Sequence, residues 1–140
     1  MYKHILLPID LTDRHSAALR AAAGLAKPGG GAVTLLHVIE VIPGLGIDEE
    51  KAFYDRLRRD AEAHLDRLGE TLSKAGVSWQ RAVVMGQRVR GTLEEVRRRG
   101  ADLIVLTGAR PDPAQFLGGL GSLAMKIALL AETPVLLVKQ

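Results

Sequence analysis

The segment Ala32–Ile39 has the sequence AVTLLHVI, an almost uninterrupted apolar run. Such a run is typical of a strand that is buried on both faces, which is the usual situation in a parallel sheet. Four further segments also read as strands. They are Lys3–Ile9 (KHILLPI), Val77–Met85, Asp102–Thr107 (DLIVLT) and Pro134–Lys139 (PVLLVK).

Helical patterns separate the predicted strands. The longest runs from about Asp48 to Lys74 and has a charged face opposite an apolar stripe. This stripe comprises Phe53, Leu57, Ala61, Leu65, Leu68, Leu72 and Ala75. Further helices are predicted from about Arg14 to Ala26, around Val89 to Val96, and from Ser122 to Ala131. The alternation predicts one α/β domain over residues 1–140, with a doubly wound (Rossmann-like), five-stranded parallel sheet and helices on both faces.

Composition narrows the classes of function. The 140 residues carry a formal net charge of only +3 and are 4% aromatic, which argues against a nucleic-acid binder. The absence of cysteine removes disulfides, thiolate catalysis and cysteine metal sites. No apolar run has the length of a membrane span, and the N-terminus lacks the pattern of a signal peptide. We expect a cytoplasmic protein that does not bind membranes.

Ligands of open α/β sheets bind beyond the carboxyl ends of the strands. Here those ends carry Asp10, Glu40, Gly86 and Gly108. The first strand is followed by Asp10–Arg14 rather than a glycine-rich loop, so no dinucleotide fingerprint is present, and no Walker P-loop occurs.

Glycines instead follow the fourth strand, at Gly108 and within Gly118–Gly121, just before Ser122. Glycines let the backbone approach a phosphate, and a helix that begins at Ser122 would present free amides to it. The alternative is a flexible turn with Ser122 as the helix N-cap. Similarly, Asp10 alone reads as a turn residue or helix cap. The residues by themselves leave these readings open.

Several segments together resemble universal stress proteins. They are DLIVLTGARPDPAQFLGGLGSLAMKI (102–127), TPVLLVK (133–139), HILLPID (4–10) and LLHV (35–38). Nucleotide-binding members of this family carry G-x-x-G, nine residues, then G-[ST], to which Gly108, Gly121 and Ser122 correspond. Asp10 matches a base- or ribose-side contact and Val38 an adenine contact. The resemblance implies ATP or AMP binding, with or without Mg²⁺. The residues that it implies are Pro8, Ile9, Asp10, Val38, Gly108, Arg110, Gly121 and Ser122.

This sequence departs from the family pattern at Pro111, which stands where those members carry the second glycine. Proline has no amide hydrogen to offer a phosphate, and Asp112 beside it adds a negative charge. We therefore expect a stress-response regulatory module with weak nucleotide binding. The alternative is a dimerisation and interaction module that has lost the nucleotide.

The resemblance also implies the strand order 3-2-1-4-5, which makes the last strand an edge. An exposed apolar edge favours association, so we predict a homodimer through Pro134–Lys139. The sequence contains no nucleophile–base signature and therefore does not predict an enzyme, although slow ATP hydrolysis stays open. No two histidines have the spacing of metal ligands, so no metal site is predicted, and His37 is expected to be a core histidine with a backbone partner.

Overall fold

The five strands form one parallel sheet in a computed structural model that describes residues 1–108 and 123–140. The strands are β1 (His4–Pro8), β2 (Ala32–Glu40), β3 (Ser78–Gly86), β4 (Leu103–Gly108) and β5 (Val135–Lys139). Their order is β3-β2-β1-β4-β5, with every neighbouring pair parallel. The predicted fold class and strand order are confirmed.

Within the described ranges, four helices lie between the strands. They are α1 (Ser16–Ala26), α2 (Lys51–Lys74), α3 (Arg88–Arg99) and α4 (Leu123–Leu130), and a short 3₁₀ turn at Lys27–Gly29 follows α1. The helix α3 ends at Gly100, whose φ of 65° is a left-handed conformation that glycine adopts at little cost. Each connection between parallel neighbours is thus a helical crossover, as the alternating pattern predicted.

Alternate side chains of β1 enter two separate cores. Ile5, Leu7 and Ile9 pack in the core beneath α1 and α2. Leu6 points to the opposite core, where it clusters with Val96 of α3 and Ile127 of α4. The sheet is therefore covered on both faces, which explains why its central strands are apolar along their whole length.

Two predicted helix starts are wrong by a few residues. The first helix begins at Ser16 rather than Arg14, because residues 12–15 fold around the Asp10 side chain. The long helix begins at Lys51 rather than Asp48. Its buried face also differs from the predicted stripe in using Tyr54 and Gly69.

Candidate functional site

A cleft opens at the carboxyl ends of β1, β2 and β4, between the sheet and helices α3 and α4. Its apolar lining within the described chain comprises Pro8, Ile9, Leu36, Val38, Leu106, Leu123, Ala124 and Ile127. Its polar lining comprises Asp10, Arg14, His15, His37, Arg88, Thr92 and Thr107. The cleft lies where an open parallel sheet typically binds its ligand.

The structure brings together four of the residues singled out in the sequence. Pro8, Ile9 and Asp10 follow one another at the end of β1, and Val38 faces the same cleft from β2. Gly108 ends β4, where an added Cβ would lie 3.2 Å from the Leu137 side chain of β5. Arg110, Gly121 and Ser122 lie outside the described residues, as do Pro111 and Asp112.

Both oxygens of the Asp10 carboxylate accept hydrogen bonds from the loop that follows β1. Oδ1 accepts from the Thr12 amide at 3.1 Å and from the Thr12 hydroxyl. Oδ2 accepts from Arg14, with Nε at 2.9 Å and Nη2 at 2.8 Å. Asp10 thus organises its own loop, as a turn residue would, and also borders the cleft.

His15 connects this loop to the end of β4. Its ring is only 2% exposed, with Nε2 2.8 Å from Asp10 Oδ1 and Nδ1 2.7 Å from Thr107 Oγ1. The Asp10 amide nitrogen also lies 3.2 Å from Nε2. A carboxylate can only accept, so the shorter contact places a proton on Nε2. In the neutral ring Nδ1 then accepts a hydrogen bond from the Thr107 hydroxyl.

The pKa values of both groups depart from their ordinary positions. Burial alone would raise the pKa of Asp10, but hydrogen bonds from Thr12, His15 and Arg14 outweigh burial and hold this pKa well below its usual range. Burial lowers the pKa of His15 and outweighs the hydrogen bond and charge of Asp10, which raise it. Around neutral pH the pair is therefore an ionised Asp10 beside a neutral His15.

Two arginines stand at the rim of the cleft. Arg14 belongs to the Asp10 loop, and Arg88 begins α3 with its Nε 3.8 Å from Glu40 Oε1. The Arg88 side chain is 56% exposed, so its guanidinium stays accessible to an anion. A planar guanidinium suits the oxygens of a phosphate. Neither arginine was predicted as a site residue, because no local pattern in the sequence distinguishes it from the other charged surface residues.

The backbone beside Ile9 is held in place by β2. The Ile9 amide donates to Leu36 O at 2.7 Å, and His37 Nδ1 donates to Ile9 O at 2.8 Å. The backbone partner predicted for His37 is confirmed, but the predicted core position is wrong, because His37 is only partly buried and lines the cleft. These bonds fix the floor of the cleft where Ile9 and Val38 supply apolar surface.

Residues 1–108 and 123–140 contain neither a metal site nor a membrane span. No group of three or more His, Cys, Asp or Glu side chains in these ranges is arranged to hold a metal ion. Within the same ranges, none of the helices combines the length and apolarity needed to cross a bilayer.

Known proteins resemble this chain over its whole length. The sequence profile described as the Universal stress protein family matches residues 1–139. A Thermus aquaticus relative, the "Universal stress protein in QAH/OAS sulfhydrylase 3'region", is 32% identical over 141 residues, covering 99% of this chain and 100% of its own.

Two solved structures share the fold. The universal stress protein from Archaeoglobus fulgidus in complex with dAMP superposes with a TM-score of 0.73 at 23% identity, covering 99% of this chain and 98% of its own. A universal stress protein in complex with cAMP has a TM-score of 0.74 at 21% identity, covering 98% and 96%. The profile match over residues 1–139 assigns the chain to a family, and the shared fold and strand order agree with it. The chain belongs to the universal stress protein family.

Proposed function

We propose that this chain is a stress-response regulatory protein that binds an adenine nucleotide, AMP or ATP, in the cleft beyond β1, β2 and β4. One observation carries the proposal. Pro8, Ile9 and Asp10 were singled out from one strand and Val38 from another, and all four line the same cleft. A cytoplasmic location is part of the proposal.

Two regions of the cleft suit the two parts of a nucleotide, the base and the phosphate. Ile9, Val38 and Leu106 offer an apolar slot of the kind that takes a purine ring. Arg88 and Arg14 stand at the rim, where guanidinium groups would meet the phosphate. The nucleotide would thus lie with its base inward and its phosphate toward α3 and the end of β4 at Gly108.

The complexes of related proteins support the same class of ligand. The ligands of these two complexes, cAMP and dAMP, are both adenine monophosphates. A monophosphate needs no metal ion to bind, whereas ATP would bring Mg²⁺ held mainly through its own phosphates. AMP is therefore the first ligand to test.

The proposed binding is weak, because Pro111 lacks an amide donor and Asp112 adds a negative charge. A hydrogen bond to a charged group contributes about 1.5–3 kcal/mol, so restoring one should lower Kd by roughly tenfold to a hundredfold. We expect Pro111→Gly combined with Asp112→Asn to bind ATP more tightly than the wild type in titration calorimetry. Gly121→Val should bind none. Absence of binding by both the wild type and the double variant would reject nucleotide binding.

A second function, a homodimeric interaction module, is favoured by the apolar surface at the end of the chain. Leu136 and Leu137 of β5 are 37% and 44% exposed, and Leu129 of α4 is 70% exposed. An edge strand with such side chains is ordinarily covered by another chain. We propose a twofold homodimer through β5, which is compatible with nucleotide binding and would remain if the nucleotide site were lost.

A further inference from the structure

His15 lines the cleft together with the two residues that its ring contacts, Asp10 and Thr107. Its ring joins Asp10 Oδ1 at 2.8 Å to Thr107 Oγ1 at 2.7 Å, although Thr107 is 92 positions away in the sequence. Both hydrogen bonds involve ring nitrogens, so every proton that the ring gains or loses must change one of them.

The neutral ring and the protonated ring impose opposite roles on Thr107. With the neutral ring protonated on Nε2, the Thr107 hydroxyl donates to Nδ1, and both of its lone pairs can accept from a ligand. With the protonated ring, Nδ1 becomes a donor and one Thr107 lone pair accepts from it, so the hydroxyl hydrogen takes one of the two positions that lone pairs held before. The bond to Asp10 is retained in both states because Nε2 is a donor in each.

We propose that protonation of His15 weakens nucleotide binding in the cleft, because it reverses the His15–Thr107 hydrogen bond and puts the Thr107 hydroxyl hydrogen in place of an acceptor lone pair on the side that faces the ligand. The ligand group that Thr107 accepts from is a hydroxyl or amino group of the nucleoside. His15 is in this sense a positioning residue. The inference rests on the proposed nucleotide binding and adds its regulation by pH.

The charged and titratable groups around His15 determine the pH at which its ring is protonated. Burial lowers its pKa, Asp10 raises it, and Arg14 and His64 of α2 lower it further. The pKa of His15 is lowered overall, so its protonation should occur below the ordinary histidine value of about 6.5. Asp10 stays ionised throughout, since its own pKa is held far lower.

The test is titration calorimetry with AMP at pH 7.5 and at pH 5.5, with circular dichroism confirming the fold at both. The AMP phosphate itself titrates with a pKa of about 6, so each variant is compared with the wild type under the same conditions. His15→Asn removes the titrating ring, Thr107→Val removes the hydroxyl and keeps the ring, and Thr107→Ser keeps both. We expect the wild type and Thr107→Ser to lose about tenfold more affinity on acidification than the other two variants.

Each other outcome is decisive. Equal losses in the wild type and His15→Asn would overturn the inference and leave nucleotide binding intact. A full extra loss in Thr107→Val would assign the effect to the charge on His15 and overturn the hydrogen-bond mechanism. Absence of AMP binding at pH 7.5 in every protein would reject the proposed function and this inference with it. Should His15→Asn fail to fold, equal losses of affinity in Thr107→Val and Thr107→Ser would still overturn the hydrogen-bond mechanism.

Discussion

The carboxylate of Asp10 holds the loop that follows β1 in place. Thr12, Arg14 and His15 all donate to it, so both of its oxygens are occupied by its own loop. A ligand that reached this carboxylate would have to displace one of these donors, and Thr12 and Arg14 are accessible to it whereas His15 is buried. Asp10 is therefore both a turn residue, which binds its own loop, and a residue that borders the cleft.

His15 could not have been recognised from the sequence. It follows directly after Arg14, where the first helix is predicted to begin, and its partner Thr107 is reached only when β1 and β4 become neighbours in the sheet. Local patterns such as helix periodicity and metal-ligand spacing carry no information about a contact across 92 positions. By contrast, Pro8, Ile9 and Asp10 could be located because strand ends are visible in the sequence and define where a ligand binds.

We predict that the protein loses stability in mild acid and that His15 causes the first part of this loss. Because the folded pKa of His15 is lowered, the unfolded chain binds more protons below the unfolded value of about 6.5, and the free energy of unfolding falls there. Asp10 adds a loss only below its unfolded value of about 3.9. Urea denaturation between pH 7.5 and 5 should show the fall in the wild type.

The matched variant for this prediction is His15→Asn. It is expected to be less stable than the wild type at pH 7.5, because it loses a buried contact, but to show a flatter dependence on pH. An equally steep fall in this variant would assign the acid sensitivity to other groups.

At the scale of elements, α2 packs against β3 through a position without a side chain. A Cβ added to Gly69 would overlap the indole of Trp79, whose Nε1–H donates to Ser73 Oγ at 2.7 Å. The helical periodicity predicted the stripe through Ala61, Leu65 and Leu72, which are buried. It missed Gly69, since nothing local indicates that a tryptophan on another strand requires the space.

Alanine at this glycine should therefore destabilise the protein. We expect Gly69→Ala to lower the free energy of unfolding by about 1–3 kcal/mol, because the indole must move. Gly24→Ala in α1 is the matched control, since no atom of the described chain lies within 4 Å of its added Cβ. It should raise stability by about 0.4–1 kcal/mol, because alanine restricts the unfolded chain. Chemical denaturation of both variants measures the two changes in the free energy of unfolding. Changes of the same sign in the two variants would contradict this account of α2.

Over the whole molecule, topology followed from sequence more readily than assembly. Continuous apolar strands separated by helices predict a parallel sheet covered on both faces, and the family resemblance implied its order. The observed helix starts differ from the predicted ones by a few residues, and at α1 the reason is that the Asp10 side chain binds the residues before the helix. What the edge strand binds depends on a second molecule, so no pattern within one chain determines it.

The proposed dimer makes a prediction at this scale. Leu137→Lys places a charge on the exposed β5 edge and should shift the protein from dimer toward monomer at micromolar concentration, because burying an unpaired charge is costly. Ser78→Lys adds the same side chain to β3 at the opposite edge of the sheet and should leave the dimer intact. Light scattering after size exclusion measures both. A monomeric wild type would refute the dimer.

The most direct test of nucleotide binding in the cleft compares two arginines of α3 by titration with AMP. Arg88 lines the cleft, whereas Arg90 is not among its lining residues in the described chain, so Arg88→Glu and Arg90→Glu make the same charge change at different places. The wild type should bind one AMP per chain, Arg88→Glu should weaken binding by about tenfold or more, and Arg90→Glu should stay within about threefold of the wild type. Absence of AMP binding by the wild type, or equal losses in the two variants, would contradict the account.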